Sequence, residues 1–502
     1  MNNTLILIIL NLVGKIFSFI REMIFSFFYG TGPITDAFNT STTAATLIFS
    51  VITYALSKTY IPTYNEVLKK GGEESGDKFT NNLLNFSLFL TTAIMILGFA
   101  FAPAIVKLFA AGYSGEKLKI ASSFMRAIIL TIYPNIYAAI FSAYLQIKGD
   151  FLTPALPLII LNTILAITVA ISNGNVRIMT IGIFLAYFLQ FIIFPRAIRK
   201  TGFKRGKIKF SFDENVKKII ILSLPTTFSM AAVYISTIVD QSFASLVATD
   251  GGVSIINYAL KILRIVSSTF IVPFQITAYP IIGKLVADND IKGMKNLTSK
   301  TLVKIMILFI PSIIGMMVLS EPIISFVYYR GEFTYNDMIA TSQVLFTYTL
   351  YLLGPAIVDL LYLSFFSNQN TKIPTVISFI QLWINIFLDY ALSMRYGLVG
   401  LAMATTISQL SSVIMAFFMY KKTFGSLENK YIIKNIGKTL IAGSALGVFA
   451  KYFYHLRPSN LWLLVTIAFS AIIYVGIIYV LKVDEFDDIK NSFLKRKNNK
   501  KE

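Results

Sequence analysis

No cysteine occurs anywhere in the 502 residues, and the single histidine, His455, sits near the end of a hydrophobic segment beside Arg457 and Pro458. Disulfides, thiolate metal sites, cysteine nucleophiles and histidine-based triads are therefore excluded. Charge is also scarce: 14% of residues are charged, roughly half the share usual in soluble domains. No phosphate loop is present either. The one similar string, Gly437-Lys438-Thr439, has Ile432 where the first glycine belongs, so the backbone cradle for phosphates is missing.

What the chain has instead is apolar length. Hydrophobic residues make up 55% of it, the mean hydropathy is +0.69, and runs of about 20 apolar residues, enough to cross a bilayer, recur from the start to about position 481. The pattern predicts an all-α polytopic membrane protein with about fourteen spans: 3–29, 36–66, 80–105, 118–146, 152–172, 177–197, 216–247, 253–283, 300–320, 336–366, 373–392, 397–420, 433–451 and 460–481. Leu5 to Phe28 is expected to stay as the first span, because MNNT lacks a basic n-region and the stretch contains Lys15, Arg21 and Glu22.

The net charge of +20 comes from bases concentrated in alternate loops. With the N-terminus inside, 30 of the 45 Lys and Arg fall on the cytoplasmic side and 8 on the other, which predicts cytoplasmic termini. The basic tail from Lys495 on reads as an anionic-lipid anchor rather than a nucleic-acid site. The chain also repeats. Pro62, Pro103, Pro134 and Pro154 are matched by Pro280, Pro322, Pro355 and Pro374 at spacings of 218, 219, 221 and 220, and Gly112 follows Pro103 as Gly331 follows Pro322. Six spans per copy make the two copies parallel, a transporter plan. The expected organisation is an N-lobe over 1–210, a C-lobe over 211–425, two extra helices over 426–482 and a tail over 483–502.

Seven bases remain inside spans: Lys15, Arg21, Lys58, Arg126, Lys261, Arg264 and Lys304. Lys304 and Lys58 lie near span ends and are expected to snorkel into headgroups. Lys15 is mid-span and shares a helical face with Glu22, seven residues on; Lys261 and Arg264 are three apart on one face. Charges at such depth face a cavity or a partner. Two readings stand side by side: the bases pair with Glu22, Asp240 or other acids to lock helices, or they leave cationic sites for an anion such as a lipid-borne pyrophosphate. A second cluster is acidic and amidic. Asn385 and Asp389 share a face four residues apart, with Asp240 and Thr405 in other spans. Such oxygen donors suit a hard monovalent cation or a proton, or equally helix–helix hydrogen bonds.

Several strings resemble one family. Gly14-Lys15-Ile16-Phe17-Ser18-Phe19-Ile20-Arg21-Glu22, Gly30-Thr31-Gly32-Pro33-Ile34-Thr35-Asp36-Ala37-Phe38, Thr153-Pro154-Ala155-Leu156-Pro157 with Asn162, Asn257-Tyr258-Ala259-Leu260-Lys261 and Arg330-Gly331-Glu332-Phe333-Thr334 are similar, in order, to signatures of the MurJ (MviN) lipid II flippases of the multidrug/oligosaccharidyl-lipid/polysaccharide exporter superfamily. The resemblance implies that Lys15, Arg21 and Lys261 hold the substrate pyrophosphate, with Glu22, Asp36 and Arg264 beside them. It further implies that Asp240, Asn385, Asp389 and Thr405 take a coupling sodium ion, and that the last two helices form a groove for the prenyl tail. The family's triad is all arginine where two members here are lysine, and its second-helix basic pair falls near Phe49 and Ser50.

The expected function is therefore that of a transporter, not an enzyme. It would flip an undecaprenyl-pyrophosphate-linked peptidoglycan precursor across the bacterial inner membrane, with lipid II and membrane lipids as partners and no nucleic acid. It would work as a monomer, in association with cell-wall synthesis proteins. Flipping of another polyprenyl-linked oligosaccharide, or a membrane glycosyltransferase or polymerase using the same lipids, are the alternatives.

Overall fold

The computed structural model describes residues 3–488 apart from 211 and 249; side chains at 3–9, 11, 55, 57, 58, 223–231, 272, 273, 275 and 276 fall outside that description. The snorkelling of Lys58 and the basic tail from 489 onward also lie outside it. Among the described residues the regular structure is helical throughout, with no strand. Nine of the described helices are long and apolar enough to cross a membrane, ten if the bent pair Gly115–Ile129 and Ile132–Ile147 is one span. Their outward surfaces are apolar: Ile167, Ile181, Phe387, Ile433, Val448 and Ile472 all stand exposed. A surface of this kind, spread over most helices, faces lipid rather than water.

All fourteen segments read from the sequence fall on helix, but not one to one. Segments 36–66 and 80–105 follow one another within Pro33–Ala100 as two helices that meet across a kink at Gly71 and Gly72, where the backbone leaves helical dihedrals. Segments 373–392 and 397–420 meet likewise in Lys372–Phe424, broken only at Gly397.

The chain divides into two compact units, Met1–Ser254 with Arg330–Thr334, and Ile255–Tyr329 with Tyr335–Glu502. The first holds α1 (Asn3–Tyr29), α2 (Pro33–Ala100), α3 (Ala102–Phe109), α4 (Gly115–Ile129), α5 (Ile132–Ile147), α6 (Pro157–Ser172), α7 (Val176–Leu189), α8 (Ile193–Lys200), α9 (Glu214–Val247) and the start of α10 (Gly252–Ala287). α1 packs on α6, with Gly14 set against Leu158. α9 starts at Asp213, whose carboxylate caps the helix by accepting from Val216 N at 2.9 Å. It packs along α2, where the Ser50 hydroxyl donates to Tyr234 Oη at 2.9 Å and Gln241 donates to Thr43 Oγ1 at 3.0 Å. Ser50, where the resemblance lacks a base, thus serves packing.

The second unit holds the rest of α10 and α11 (Ile291–Val318), α12 (Ser320–Tyr328), α13 (Tyr335–Tyr348), α14 (Leu353–Ser367), α15 (Lys372–Phe424), α16 (Asn429–His455) and α17 (Asn460–Val480). α11 packs along α16, and α16 against α17, where the Trp462 indole stacks 4.8 Å from Phe453 and donates to its carbonyl at 2.7 Å. The proline repeat has a structural counterpart. Pro103 and Pro322 each lie in the first turn of a short helix, α3 and α12, and in each unit a turn leads into a helix pair broken by an irregular turn, α4–α5 and α13–α14.

The end of α17 is clamped. Lys304 of α11 pairs with Glu485 at 3.0 Å and Asp488 at 2.8 Å, the Tyr431 hydroxyl donates to Glu485 at 2.6 Å, and the Asn435 amide donates to Asp484 at 3.1 Å. Lys304 therefore pairs with acids of this chain where snorkelling into headgroups was expected: carboxylates from 181 and 184 residues downstream reach it. The hydrogen bond and charge of Lys304 hold the Asp488 carboxyl below its ordinary value. A depressed carboxyl contributes its stabilisation above the unfolded value, about 4, and loses it as pH falls through the lower folded one. The clamp should thus hold from pH 8 to about 5 and release only in stronger acid. Lys304→Met should raise hydrogen exchange across 481–488 at neutral pH; unchanged exchange would show that the ion pairs do not hold this segment.

Candidate functional site

Arg21 is half-buried on α1, and its Nη2 forms an ion pair with Oε1 of the adjacent, buried Glu22. One contact uses one of five guanidinium N–H groups. Its Nε is buried with no acceptor among the described residues. The charge is matched, but the fork is not filled. Lys15, a turn and a half earlier on the same helix, is exposed, while Glu22 on its face is buried.

Lys261 and Arg264 belong to the second unit. Lys261 Nζ lies 5.3 Å from the ring centroid of Tyr258, a cation–π contact one turn back on α10, and the Tyr258 ring lies tilted against Tyr328 with centroids 4.6 Å apart. Arg264 is exposed. Arg126, the remaining span base, donates from Nε to Phe99 O at 3.2 Å and lies over the Phe99 ring.

Asp36 stands differently. It is fully buried in the first turn of α2. Oδ1 accepts from Ser254 N at 2.8 Å and Ser254 Oγ at 2.6 Å; Oδ2 accepts from Lys117 Nζ at 2.6 Å and Gly251 N at 2.9 Å. These four donors match the roughly four lone-pair sites of a carboxylate. Lys117, from α4, also reaches Asp250 at 3.2 Å and lies over the Tyr113 ring at 4.5 Å. Asp36 thus ties the starts of α2, α4 and α10 together.

Two glycine signatures meet beside this hub. Gly30 has φ +52° and Gly331 φ +60°, a region that favours glycine. A Cβ on Gly331 would overlap the Phe27 carbonyl and one on Gly30 the Glu332 carbonyl, while Glu332 N donates to Phe27 O at 2.9 Å. Backbone lies on backbone with no room for side chains.

Of the candidate cation set, Asp240 lies in the first unit, and Asn385, Asp389 and Thr405 in the second. Asn385 and Asp389 are buried, and the Asn385 amide donates to Asp389 Oδ1 at 3.3 Å. Thr405 donates its hydroxyl to Leu401 O at 3.0 Å, which leaves the oxygen able to accept. Among the described residues no three His, Asp or Glu side chains gather as a multivalent metal would require.

The second unit also contains a cavity of about 730 Å³, lined by α10, α11, α16 and α17. Val266, Phe270, Pro311, Met316 and Leu446 make it apolar, and Phe486 of the clamped segment joins the lining. Sequence reasoning missed Lys117, Gly251 and Ser254 as partners of Asp36. No spacing rule links positions 81 to 218 residues apart; the one available hint was an acid placed in a glycine-rich turn.

A family model described as "MurJ: Lipid II flippase MurJ" matches residues 25–472. The lipid II flippase MurJ of Thermosipho africanus (strain TCF52B) is 27% identical over 466 residues, 92% of this chain and 92% of its own length. Among solved structures, "Lipid II flippase MurJ, inward closed conformation" superposes with a TM-score of 0.82 at 25% identity, covering 95% of this chain and 98% of that one. An inward-facing MATE family transporter of the MOP superfamily has a TM-score of 0.69 over 83% of this chain and 98% of its own. At 16% identity it shares the fold.

Removing one partner of a buried, hydrogen-bonded ion pair costs about 3–5 kcal/mol, whereas an exposed pair contributes about 0–1 kcal/mol. Asp36→Ala should therefore lower the thermal unfolding midpoint in detergent sharply. Asp250→Ala, whose side chain is 64% exposed, should barely move it. Equal effects would remove Asp36 from its place as the hub.

Proposed function

The chain belongs to the MurJ lipid II flippase family, and on that footing we propose that it flips a polyprenyl-pyrophosphate-linked peptidoglycan precursor, lipid II, from the inner to the outer leaflet of a bacterial cytoplasmic membrane. The chemistry is transport, with no covalent step. The observation that carries the reading is Arg21: a guanidinium within the first helix whose single carboxylate contact leaves donors, Nε among them, unfilled. A pyrophosphate supplies planar arrays of acceptor oxygens that such a fork matches.

Lys15 adds a second cation on α1, and Lys261 is the third member that the family resemblance supplies. Glu22 lowers the net positive charge of the site, which keeps the anion releasable. Asp36 acts on the same site indirectly, by organising the ends of the helices around α1. The apolar cavity beside α16 and α17 suits a prenyl tail, which exchanges lipid for an equally apolar lining and needs no polar partner. Asn385, Asp389 and Thr405 would hold a monovalent cation, whose chemistry is charge compensation alone.

The concentration of bases in alternate loops supports fourteen crossings with both termini in the cytoplasm. An inside-negative potential then favours outward movement of an anionic headgroup, by about 2.3 kcal/mol per charge per 100 mV. Sites exposed to one side at a time, the working principle of parallel-repeat transporters, give the movement its direction.

Arg21→Ala should lose rescue of a strain depleted of its lipid II flippase, with transport down roughly 30-fold or more, the equivalent of a lost charge-assisted contact of about 2 kcal/mol. Arg21→Lys, which keeps the charge but not the fork, should fall between. Full rescue by a well-expressed Arg21→Ala protein would refute the role.

A further inference from the structure

Between α8 and α9 the chain runs without regular structure from Phe203 to Phe210, and it is held in place. Asn81 donates to Lys204 O at 3.0 Å and accepts from Gly206 N at 2.8 Å, while Asn85 donates to Lys207 O at 3.1 Å. Arg205 is consumed as a staple, donating to Asn81 Oδ1 at 3.0 Å and Asn85 Oδ1 at 2.7 Å. Asn82 fixes the far end through Asp213 at 2.7 Å. Six contacts from three asparagines within little more than one turn make this a strap with a defined path over α2.

Phe203 is buried against Phe141 and Tyr144, and the side chains that follow it are exposed. Lys204, Lys207 and Lys209 are exposed, as are Arg196, Arg199 and Lys200 on α8 just before it. Residues 196–218 hold nine bases and two acids. Ile208, Phe210 and Phe212 are also exposed, by 67%, 55% and 53%. Phe210 lies 5.3 Å from Phe89, and Phe212 lies 5.8 Å from Phe86. Those two rings are the first apolar ones after the polar Asn81–Asn85 stretch of α2. The strap therefore crosses α2 at the level where its surface changes from polar to apolar, which is the bilayer boundary. Ile208, Phe210 and Phe212 alternate in sequence with Lys207 and Lys209, so both kinds of side chain stand exposed along the same short stretch.

We propose that this strap is a docking site for anionic phospholipid headgroups of the cytoplasmic leaflet, with Ile208, Phe210 and Phe212 seated among the upper acyl chains and Lys204, Lys207 and Lys209 on the phosphates. Charge complementarity selects the occupant. A solvated linker gains nothing from three exposed large apolar residues beside three lysines, whereas an anionic interface satisfies both sets. The site is separate from the flipped substrate and holds whether or not Arg21 binds pyrophosphate.

The absence of cysteine makes the test direct. Ile208→Cys, carrying an environment-sensitive fluorophore, is placed as the full-length protein in nanodiscs of phosphatidylcholine with a rising fraction of phosphatidylglycerol. Emission should shift to the blue as phosphatidylglycerol increases and return in high salt. Lys204→Gln, Lys207→Gln and Lys209→Gln should weaken the response roughly fivefold per lysine. Lys421→Gln with Lys422→Gln, in another basic stretch, should leave it unchanged. Identical emission in neutral and anionic discs would overturn the proposal. So would a shift that appears only on adding an acidic cytoplasmic protein, or one that the strap lysines do not influence.

Discussion

A charge inside a hydrocarbon layer must be matched, and how completely it is matched decides what it can do. Asp36 and Arg21 represent the two solutions in this chain. Asp36 receives four donors from Lys117, Gly251 and Ser254, so both oxygens are filled and the group can only hold structure. Arg21 meets one carboxylate oxygen and keeps further donors. Its charge is compensated enough to reside in the membrane, while its hydrogen-bonding capacity is not exhausted. The saturated acid builds the frame, and the unsaturated base remains available to an anion.

The same economy of matching organises the second unit. Lys304, drawn toward Glu485 and Asp488, fixes the segment after α17, and that segment contributes Phe486 to the apolar cavity. The ion pairs close one end of the cavity, and its lining is apolar along its length. Outside the helices, the Asn81 and Asn85 side chains hold the strap against α2 by spending their amides on its backbone, which leaves its lysines outward.

Much of this was legible in the chain. Apolar length and four prolines at one spacing disclosed the helical repeat, because span length and helix breaking are local properties. The shared face of Asn385 and Asp389 could be read from helical geometry alone, whereas Glu22, which that geometry places on the Lys15 face, pairs with its neighbour Arg21. Helix breaks were legible in part: the spans expected within α2 and α15 meet at kinks, at Gly71–Gly72 and at Gly397, with little chain outside helix between them. Long-range partners were not legible at all. Nothing near Lys304 announces acids from the far end of the chain, and nothing near Gly30 announces that Gly331 will lie against the same backbone. Nothing near Lys117 announces its partner Asp36, 81 residues away.

The central claim is that Arg21 retains anion-binding capacity despite its pairing with Glu22. It is tested most directly by native mass spectrometry of the purified protein with a polyprenyl pyrophosphate, comparing the parent with Arg21→Gln and Glu22→Gln. The account predicts that the ligand is lost with Arg21→Gln and retained, or held more tightly, with Glu22→Gln. Undiminished binding by folded Arg21→Gln would contradict it.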